Sequence, residues 1–568
     1  MRQLSDQRRK DPARLIRGEL ETAPIKFRAL FYLLLVFFSV ITVFSFVFHT
    51  IMESEGKSYS LVSSFYWAVV TMSTLGYGDI VFTSDTGKIF SIVVIISGIA
   101  FLLVLLPYVL IQYIVIPIVE RRRISRAPRF ISDKIKNHLV LINTGSIEDA
   151  LIRRVEETGL DYVLIVGDLD EALRLHDAGY KVIVGELDNP KTYLAARVPQ
   201  ASLFAATRND IANANVIFTV REVSESVPIV SLASHSASVD ILEFAGADQV
   251  IELGVMLGKM MAQRIVGIDA KCQIMGEFKN LAIAEVGIGN TSLVNKTIRE
   301  TQIRTLTGVN VIGIFNRGTF VNAADNIRLD ANSILILAGT REQLTKYDEV
   351  FAEKNPKKSF VLIIGGGRVG RQVGKSLAEM GIDYRIVEQQ SDRVRDPDKY
   401  VQGNAAELKV LESAGIKEAH SIVVTTHDDD VNVYLTIYAR KLRPDAQIIS
   451  RARLDRNVST LYKAGADAVL SYAATGATAI WNRSHANDTV LLADGLTVIR
   501  IKIPPALLGK TLGFANLHNE IGVNPVAIIK DGVMIPAPDL KTVLEKPDRL
   551  IIIGTDIALH KFREIYPE

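Results

Sequence analysis

The chain has 568 residues, with 65 Lys+Arg against 63 Asp+Glu, a balance that supplies no field to gather nucleic acid. Its length provides for three to five domains, each able to bury its own core, and a lone cysteine, Cys272, excludes an intramolecular disulfide. The 48% hydrophobic share is too low for a many-span transporter, and its excess is local: 58 of the 90 residues from 29 to 118 are apolar and only six are charged.

Residues 1–28 are mostly polar and read as a cytosolic N-terminal segment. The run 29–48 contains nothing more polar than Ser and Thr, and at ~1.5 Å per residue it spans a ~30 Å hydrocarbon core. A cleaved signal peptide would carry a shorter apolar run nearer the start, so a retained transmembrane helix is expected. Residues 63–73 are too short to cross but apolar enough to enter the membrane, and Thr74, Leu75, Gly76, Tyr77, Gly78 and Asp79 follow at once. Irregular backbone at membrane depth survives only where protein surrounds it or it lines water, which predicts a re-entrant pore loop. A second apolar run, 89–119, exceeds one bilayer thickness. Basic residues outnumber acidic ones eight to four in 1–28 and seven to two in 119–136, including Arg121, Arg122 and Arg123. The loop between the spans is net acidic, so both termini are expected in the cytoplasm, with the arginine run as topology and anionic-lipid anchor or as mechanical linkage.

Alternating glycines let an extended strand turn successive carbonyls towards one axis, where four strands can replace the hydration shell of K⁺. The preceding half-helix would aim its negative end at a cation. Here the sequence resembles the potassium-channel pore family, whose signature is Thr-Val-Gly-Tyr-Gly-Asp, and the likeness includes the aromatic pair Tyr66-Trp67. The resemblance implies K⁺-coordinating oxygens on Thr74, Leu75, Gly76 and Tyr77 within a filter extending to Asp79; Leu75 departs from the usual Val. Gly98 stands where similar channels have a hinge on the inner helix, with close helix packing as the competing role and Pro107 as another source of a bend.

The remainder repeats itself. The strand-turn runs 138–145 and 359–367 correspond, Ala245-Gly246-Ala247-Asp248 recurs as Ala464-Gly465-Ala466-Asp467, Gly308-Val309-Asn310 as Gly522-Val523-Asn524, and Lys296-Thr297 as Lys510-Thr511. The order is large lobe, small lobe, large lobe, small lobe. Strands expected at 360–364, 384–387, 421–425, 447–450 and 468–470 alternate with helical stretches, which implies a parallel doubly wound sheet.

In the second copy Gly365, Gly367 and Gly370 follow a strand and precede a helix expected at 372–380. Such glycines permit a tight turn, close approach of a pyrophosphate and helix–strand contact. Glu388, 23 residues after Gly365, is placed to accept hydrogen bonds from an adenosine ribose and favours NAD or an adenine nucleotide over NADP. In the first copy Asn143 and Glu148 replace the outer glycines, Gly145 alone remains and Val166 stands in place of Glu388. That copy is expected to be structural or to bind something else.

This tandem arrangement resembles the RCK/KTN regulators of potassium conductance, with TrkA-N and TrkA-C type lobes. The resemblance implies a membrane α-helical pore module (two transmembrane helices plus a pore helix) fused to tandem α/β Rossmann-like doubly wound domains with small α+β C-terminal lobes. Its expected bounds are pore module 29–118, linker 119–137, first large lobe 138–275, first small lobe 276–355, second large lobe 356–485 and second small lobe 486–568. It also implies a homotetramer with eight RCK domains in a gating ring, NAD or ADP/ATP as regulatory ligand, and contacts from Gly365, Gly366, Gly367, Arg368, Val369, Gly370 and Glu388, followed by Gly403, Asn404, Ala405, Thr425 and Thr426. Some similar channels respond to Ca²⁺. The run His427-Asp428-Asp429-Asp430 is either a divalent-ion site or, as favoured here, the cap of a helix expected at 431–442; the sequence locates no Ca²⁺ site. Motifs for Ser-His-Asp, zincin or Cys/His chemistry are missing, so no catalytic residue is assigned. The expected function is a potassium channel of the cell membrane, gated when nucleotide binding pulls the inner helices through a cytoplasmic ring. A membrane-anchored NAD-dependent oxidoreductase and a regulatory subunit of a potassium transporter are the alternatives.

Overall fold

A computed structural model describes residues 27–116, 118–119, 126, 128–266, 271–278, 280–289, 291–316, 319–330, 333–352, 360–484, 489–492 and 495–566. Residues 1–26 and Arg121 to Arg123 lie outside these, so the expectations for the N-terminal segment and the arginine run are not addressed. The chain divides into two compact units, residues 1–130 with 166–185, and residues 131–165 with 186–568.

In the first unit the expected span is a longer helix, Phe27–Ser54, because nothing breaks it before Gly56, whose φ of 77° ends helical geometry. The half-helix runs Leu61–Met72, capped by Ser60, whose hydroxyl accepts from the Ser63 N–H. The second long apolar helix starts earlier than expected, at Asp85, because Ser84 caps it by accepting from the Gly87 N–H. It continues to Val115 through π-helical turns at Ala100–Leu105 and Ile111–Val115 that flank Pro107. Wider turns of this kind absorb the backbone donor that proline lacks. An aromatic stack centred on Trp67 joins the three helices: Phe48 at 4.7 Å, Phe82 at 5.2 Å and Phe90 at 5.8 Å between ring centroids. At one end of the bundle the Glu55 carboxylate accepts from the backbone N–H and hydroxyl groups of Thr83 and Ser84, tying the end of one long helix to the start of the other.

The second unit contains the repeat. In the second copy six parallel strands, taken in chain order, lie across the sheet as third, second, first, fourth, fifth and sixth. They are Phe360–Ile364, Asp383–Glu388, Tyr400–Gln402, Ser421–Val424, Gln447–Ala452 and Ala468–Ser471; Tyr400–Gln402 was not anticipated. The first copy sets Tyr162–Val166, Leu139–Leu141, Leu203–Ala206, Ile229–Leu232 and Gln249–Ile251 side by side in the corresponding order, also parallel. Each small lobe is a five-stranded antiparallel sheet, and the two share one core that includes Leu281 and Ile336 from one and Val498 and Ile551 from the other.

Buried polar groups repeat as faithfully as the sheets. Asn213 donates from Nδ2 to the Leu232 carbonyl at 2.9 Å, and Asn432 to the Arg451 carbonyl at 3.0 Å. Arg221 reaches the Gly246 carbonyl and Asp248, and Arg440 the Gly465 carbonyl and Asp467. Thr297 and Thr511 each cap a short helix, and Gly308 and Gly522 both have positive φ, 79° and 89°.

The two large lobes pack reciprocally. The helix Leu253–Val266, which leaves the first copy, lies against Arg368–Glu379 of the second, and Leu257, Met261 and Ile265 complete the second copy's core. Tyr472–Ser484, its counterpart, lies against Ser146–Glu157. This pairing brings the intact glycine turn of the second copy and the degenerate one of the first to one place.

Candidate functional site

After the half-helix the backbone alternates: Thr74, Gly76 and Gly78 have φ of 63°, 51° and 78°, while Leu75 and Tyr77 between them do not share the left-handed conformation. The alternation turns successive carbonyls the same way; glycine adopts it without strain at positions 76 and 78, whereas Thr74 adopts it against the preference of a β-branched side chain. The turn is held by N–H groups of Leu75 and Gly76 donating to the Val70 carbonyl at 3.1 and 3.4 Å, and by Tyr66 Oη donating to Asp79 Oδ2 at 3.1 Å. Within one chain Leu75 and Tyr77 are about two-thirds exposed, the state expected of side chains that neighbouring copies would cover. Gly98 meets the half-helix end-on: a β-carbon there would lie 2.1 Å from the Met72 carbonyl oxygen. Of its two expected roles, close packing is the one visible in the structure.

The second site is a cavity of about 840 Å³ in the second unit. Gly365, Gly367, Arg368 and Val369 form one wall, Glu388 and Gly403 to Ala405 a second, and Thr425 with Thr426 a third. Gly366 and Gly370 stand just behind. The Gly366 N–H donates to Glu388 Oε2 at 2.8 Å, and a β-carbon on Gly370 would lie 1.9 Å from the Gly365 carbonyl oxygen. The helix after the turn begins at Arg368, not at 372, since Gly370 is taken into its first turn to permit that approach. The acid run caps the next helix, which starts at Asp429: Asp428 accepts from the Asp430 and Val431 N–H groups, while Asp429 holds the N–H groups of Arg453 and Leu454. Among the described residues no cluster of three His, Cys, Asp or Glu side chains is arranged to hold a metal.

Cations that sequence reading did not single out dominate the cavity. Arg371 and Arg393 line it beside Glu388; burial, and then the neighbouring Arg395, Arg393 and Arg368, hold the Arg371 pKa below the ordinary arginine value. Burial and then Arg451, Arg453 and Arg368 likewise depress His427, which favours its neutral form. A site that crowds cations in this way is built for an anion with several charges.

The remaining wall comes from the first copy, at Asn143 to Glu148, Thr207 and His235. There Glu148 folds back over its own turn, with Oε2 placed 2.8 Å from where a β-carbon on Gly145 would be. Its carboxyl is almost wholly buried, and burial raises its pKa above the ordinary 4.5. The chain's own acid thus fills the turn that receives phosphates in an intact motif, and the first copy is a wall of the second copy's cavity.

Comparison with known proteins matches this architecture part by part. Residues 32–114 match the ion channel family model, 139–253 and 361–472 the TrkA-N domain, and 283–352 and 496–566 the TrkA-C domain. A solved structure of the GsuK channel bound to NAD is 31% identical, with a TM-score of 0.57, covering 95% of this chain and 98% of that one. The chain belongs to the ligand-gated potassium channels built from a two-helix pore and tandem RCK domains. Potassium channel protein 1 of Methanocaldococcus jannaschii is 24% identical over 305 residues, 52% of this channel and 90% of that protein. A Trk system potassium uptake protein TrkA homolog of Pyrococcus horikoshii is 28% identical over 222 residues, 36% of this channel and 96% of that protein. The channel is therefore a membrane protein and not an enzyme, and the oxidoreductase alternative is set aside.

The unanticipated residues left one signal. Arg451 and Tyr472 sit where the first copy has Leu232 and Leu253, so comparing the copies position by position exposes a pair peculiar to the copy that keeps its glycines.

Proposed function

We propose that four copies of this chain form a potassium-selective pore, with the carbonyls of Thr74, Leu75, Gly76 and Tyr77 and the Thr74 hydroxyl coordinating K⁺ along the axis and Gly78 and Asp79 closing the outer end of the filter. The observation that carries this reading is the alternating backbone at Thr74, Gly76 and Gly78 directly after the half-helix. The eight RCK domains form a cytoplasmic ring, supported by exposed apolar faces on corresponding helices: Ile211 and Phe218 on Asp210–Val223, and Tyr434 and Ile437 on Asp429–Leu442. Soluble surfaces rarely leave such residues uncovered in groups. The lipid contact is supported by the exposed Phe31, Phe38, Phe46, Ile92 and Ile96 of the two long helices.

The regulatory ligand is NAD or an adenine nucleotide held at Gly365 to Gly370, with Glu388 on the adenosine ribose and Gly403, Asn404, Ala405, Thr425 and Thr426 around it. The size of the cavity, its glycine wall and its cations fit such a group. The GsuK neighbour was solved bound to NAD. A ligand of this kind shifts gating only by its differential affinity for the open and closed ring. The ring acts on the inner helix through 119–137, with bending near Pro107 and its π-helical turns; Gly98, packed on Met72, instead fixes the inner helix to the pore helix. Ca²⁺ has no place in the proposal, because Asp428 and Asp429 are committed to backbone N–H groups.

The test is flux. Purified protein in liposomes should pass K⁺ in preference to Na⁺, and NAD or ADP should change that flux. Absence of K⁺-selective flux under every ligand would overturn the pore assignment; flux indifferent to all nucleotides would overturn the ligand assignment.

A further inference from the structure

Arg451 is a buried cation that makes no ion pair among the described residues. It lies at the end of the fifth strand of the second copy, lines the cavity and is 7% exposed. Its guanidinium stacks 4.8 Å over the Tyr472 ring, its Nε has no acceptor, and among the described residues no side chain accepts a hydrogen bond from it. Asp429 is a carboxylate that acts on it, but that group is already bound by the N–H groups of Arg453 and Leu454 and by Asn457. Burial holds its pKa below the ordinary arginine range, and the Tyr472 ring and Asp429 offset only part of that penalty. A buried, unpaired charge is expensive unless something outside the chain completes it.

The fold says which part of a ligand would do so. In a doubly wound sheet the adenosine half lies over the first three strands, where Glu388 is found, and the pyrophosphate at the glycine turn. Whatever extends beyond the pyrophosphate lies over the fourth to sixth strands, where Thr425, Arg451, Arg453 and Tyr472 stand. The first copy, whose turn is filled by Glu148, has Leu232 and Leu253 in place of Arg451 and Tyr472. The cation and the ring beneath it are thus found in the copy that keeps its glycine motif.

We propose that Arg451 is a specificity-determining residue that ranks nucleotides by the charge they place over strands four to six. A terminal phosphate comes first, an uncharged reduced nicotinamide second, and a positively charged oxidised nicotinamide last. The inference rests on the nucleotide reading of this cavity and refines it: the channel then responds to the energy or redox form of a nucleotide and not only to its presence. Opposite charge brought to a desolvated arginine is favoured and like charge is penalised, both more strongly than in water.

The test measures binding of ATP, ADP, NADH and NAD⁺ to the full-length channel in detergent, for the wild type, Arg451→Met and Arg451→Lys. The wild type should bind ATP more tightly than ADP and NADH more tightly than NAD⁺. Arg451→Met should shrink both ratios by about tenfold while leaving ADP within about twofold, and Arg451→Lys should restore the order. A merely structural arginine would weaken all four ligands alike, which would overturn the proposal. Should Arg451→Met fail to assemble, the wild-type ranking still decides: NAD⁺ binding as tightly as NADH, and ADP as tightly as ATP, overturns it. Failure of the wild type to bind any of the four overturns the nucleotide reading itself.

Discussion

Gly367 and Gly370 belong to one motif but face different obstacles, and alanine at each should fail differently. A β-carbon on Gly370 would sit 1.9 Å from the Gly365 carbonyl oxygen and 2.7 Å from Thr425 Oγ1. Real β-carbons essentially never come closer than 3.0 Å, so the helix Arg368–Glu379 must retreat from the turn by more than about 1 Å in a packed core that does not yield cheaply. Overpacking of that kind costs about 1–3 kcal/mol. At about 2–4 °C per kcal/mol for a domain of this size, the melting midpoint of the Gly370→Ala channel should fall by about 2–12 °C without any ligand. Gly367, by contrast, has nothing within 4 Å of its would-be β-carbon and an ordinary φ of −65°. Gly367→Ala should therefore melt within a degree or so of the wild type, yet lose nucleotide affinity by tenfold or more, since the added methyl occupies the cavity wall at the helix N-terminus. Scanning fluorimetry and isothermal titration with NAD and ADP on the same preparations read both effects. Wild-type affinity in Gly367→Ala, or wild-type melting in Gly370→Ala, would refute the division of roles.

Gly98→Ala forces a methyl to within 2.1 Å of the Met72 carbonyl oxygen, so it should weaken the pore assembly by about 1–3 kcal/mol, read as loss of tetramer on native gels; an intact tetramer with altered open probability would restore the hinge role. Glu388→Gln keeps one acceptor and loses the charge, so NAD affinity should fall by about tenfold and the preference for NAD over NADP should narrow in competition binding. Placing a charge on the apolar faces, as in Phe218→Glu with Ile437→Glu, removes about 1.5–3 kcal/mol of burial per side chain and should yield smaller assemblies on size-exclusion chromatography. Burial raises the Glu148 pKa, so the charged form is penalised in the folded state: the stability tied to its proton is intact below about 4.5 and is lost as pH rises through the higher folded value. Glu148→Gln should accordingly raise the melting point more at pH 8 than at pH 4, and an equal effect at both would show that the carboxyl is not strained.

What the sequence made legible was local. The spans, the half-helix and the residues from Thr74 to Asp79 are contiguous runs whose chemistry is set by composition, and the second glycine turn is defined by three glycines within six residues. The acid run could be assigned to capping because Asp428 acts on N–H groups only two and three residues away. Readings fell short or stayed open where distant chain segments meet. Gly370 reads as part of a loop until the Gly365 carbonyl is seen against it, and the helix then begins at Arg368. Gly98 reads as a hinge or a contact until Met72 is found beside it. The cavity's fourth wall comes from Asn143 to Glu148, more than two hundred residues before the glycine turn it faces. Nothing in a periodicity or a motif reports that juxtaposition, whereas differences between the two copies at Arg451 and Tyr472 do mark it.

Those differences also account for why a degenerate copy is useful. Were both copies competent, two polyphosphates would approach one another across a single cavity, and their repulsion would oppose filling it. Glu148 fills the first copy's turn with a buried carboxyl of the chain itself, so that copy presents a finished wall, while the second copy lines the cavity with the cations that the proposed ligand would meet. Because both walls belong to one chain and are joined by the helix Leu253–Val266, whose Gly258 allows contact with Gln372 and Val369 of the opposite copy, a ligand that draws the cavity's walls together must move one copy relative to the other. On the proposed ring assembly that relative motion is what is passed on, and on the proposed role of Arg451 its extent depends on which nucleotide is bound.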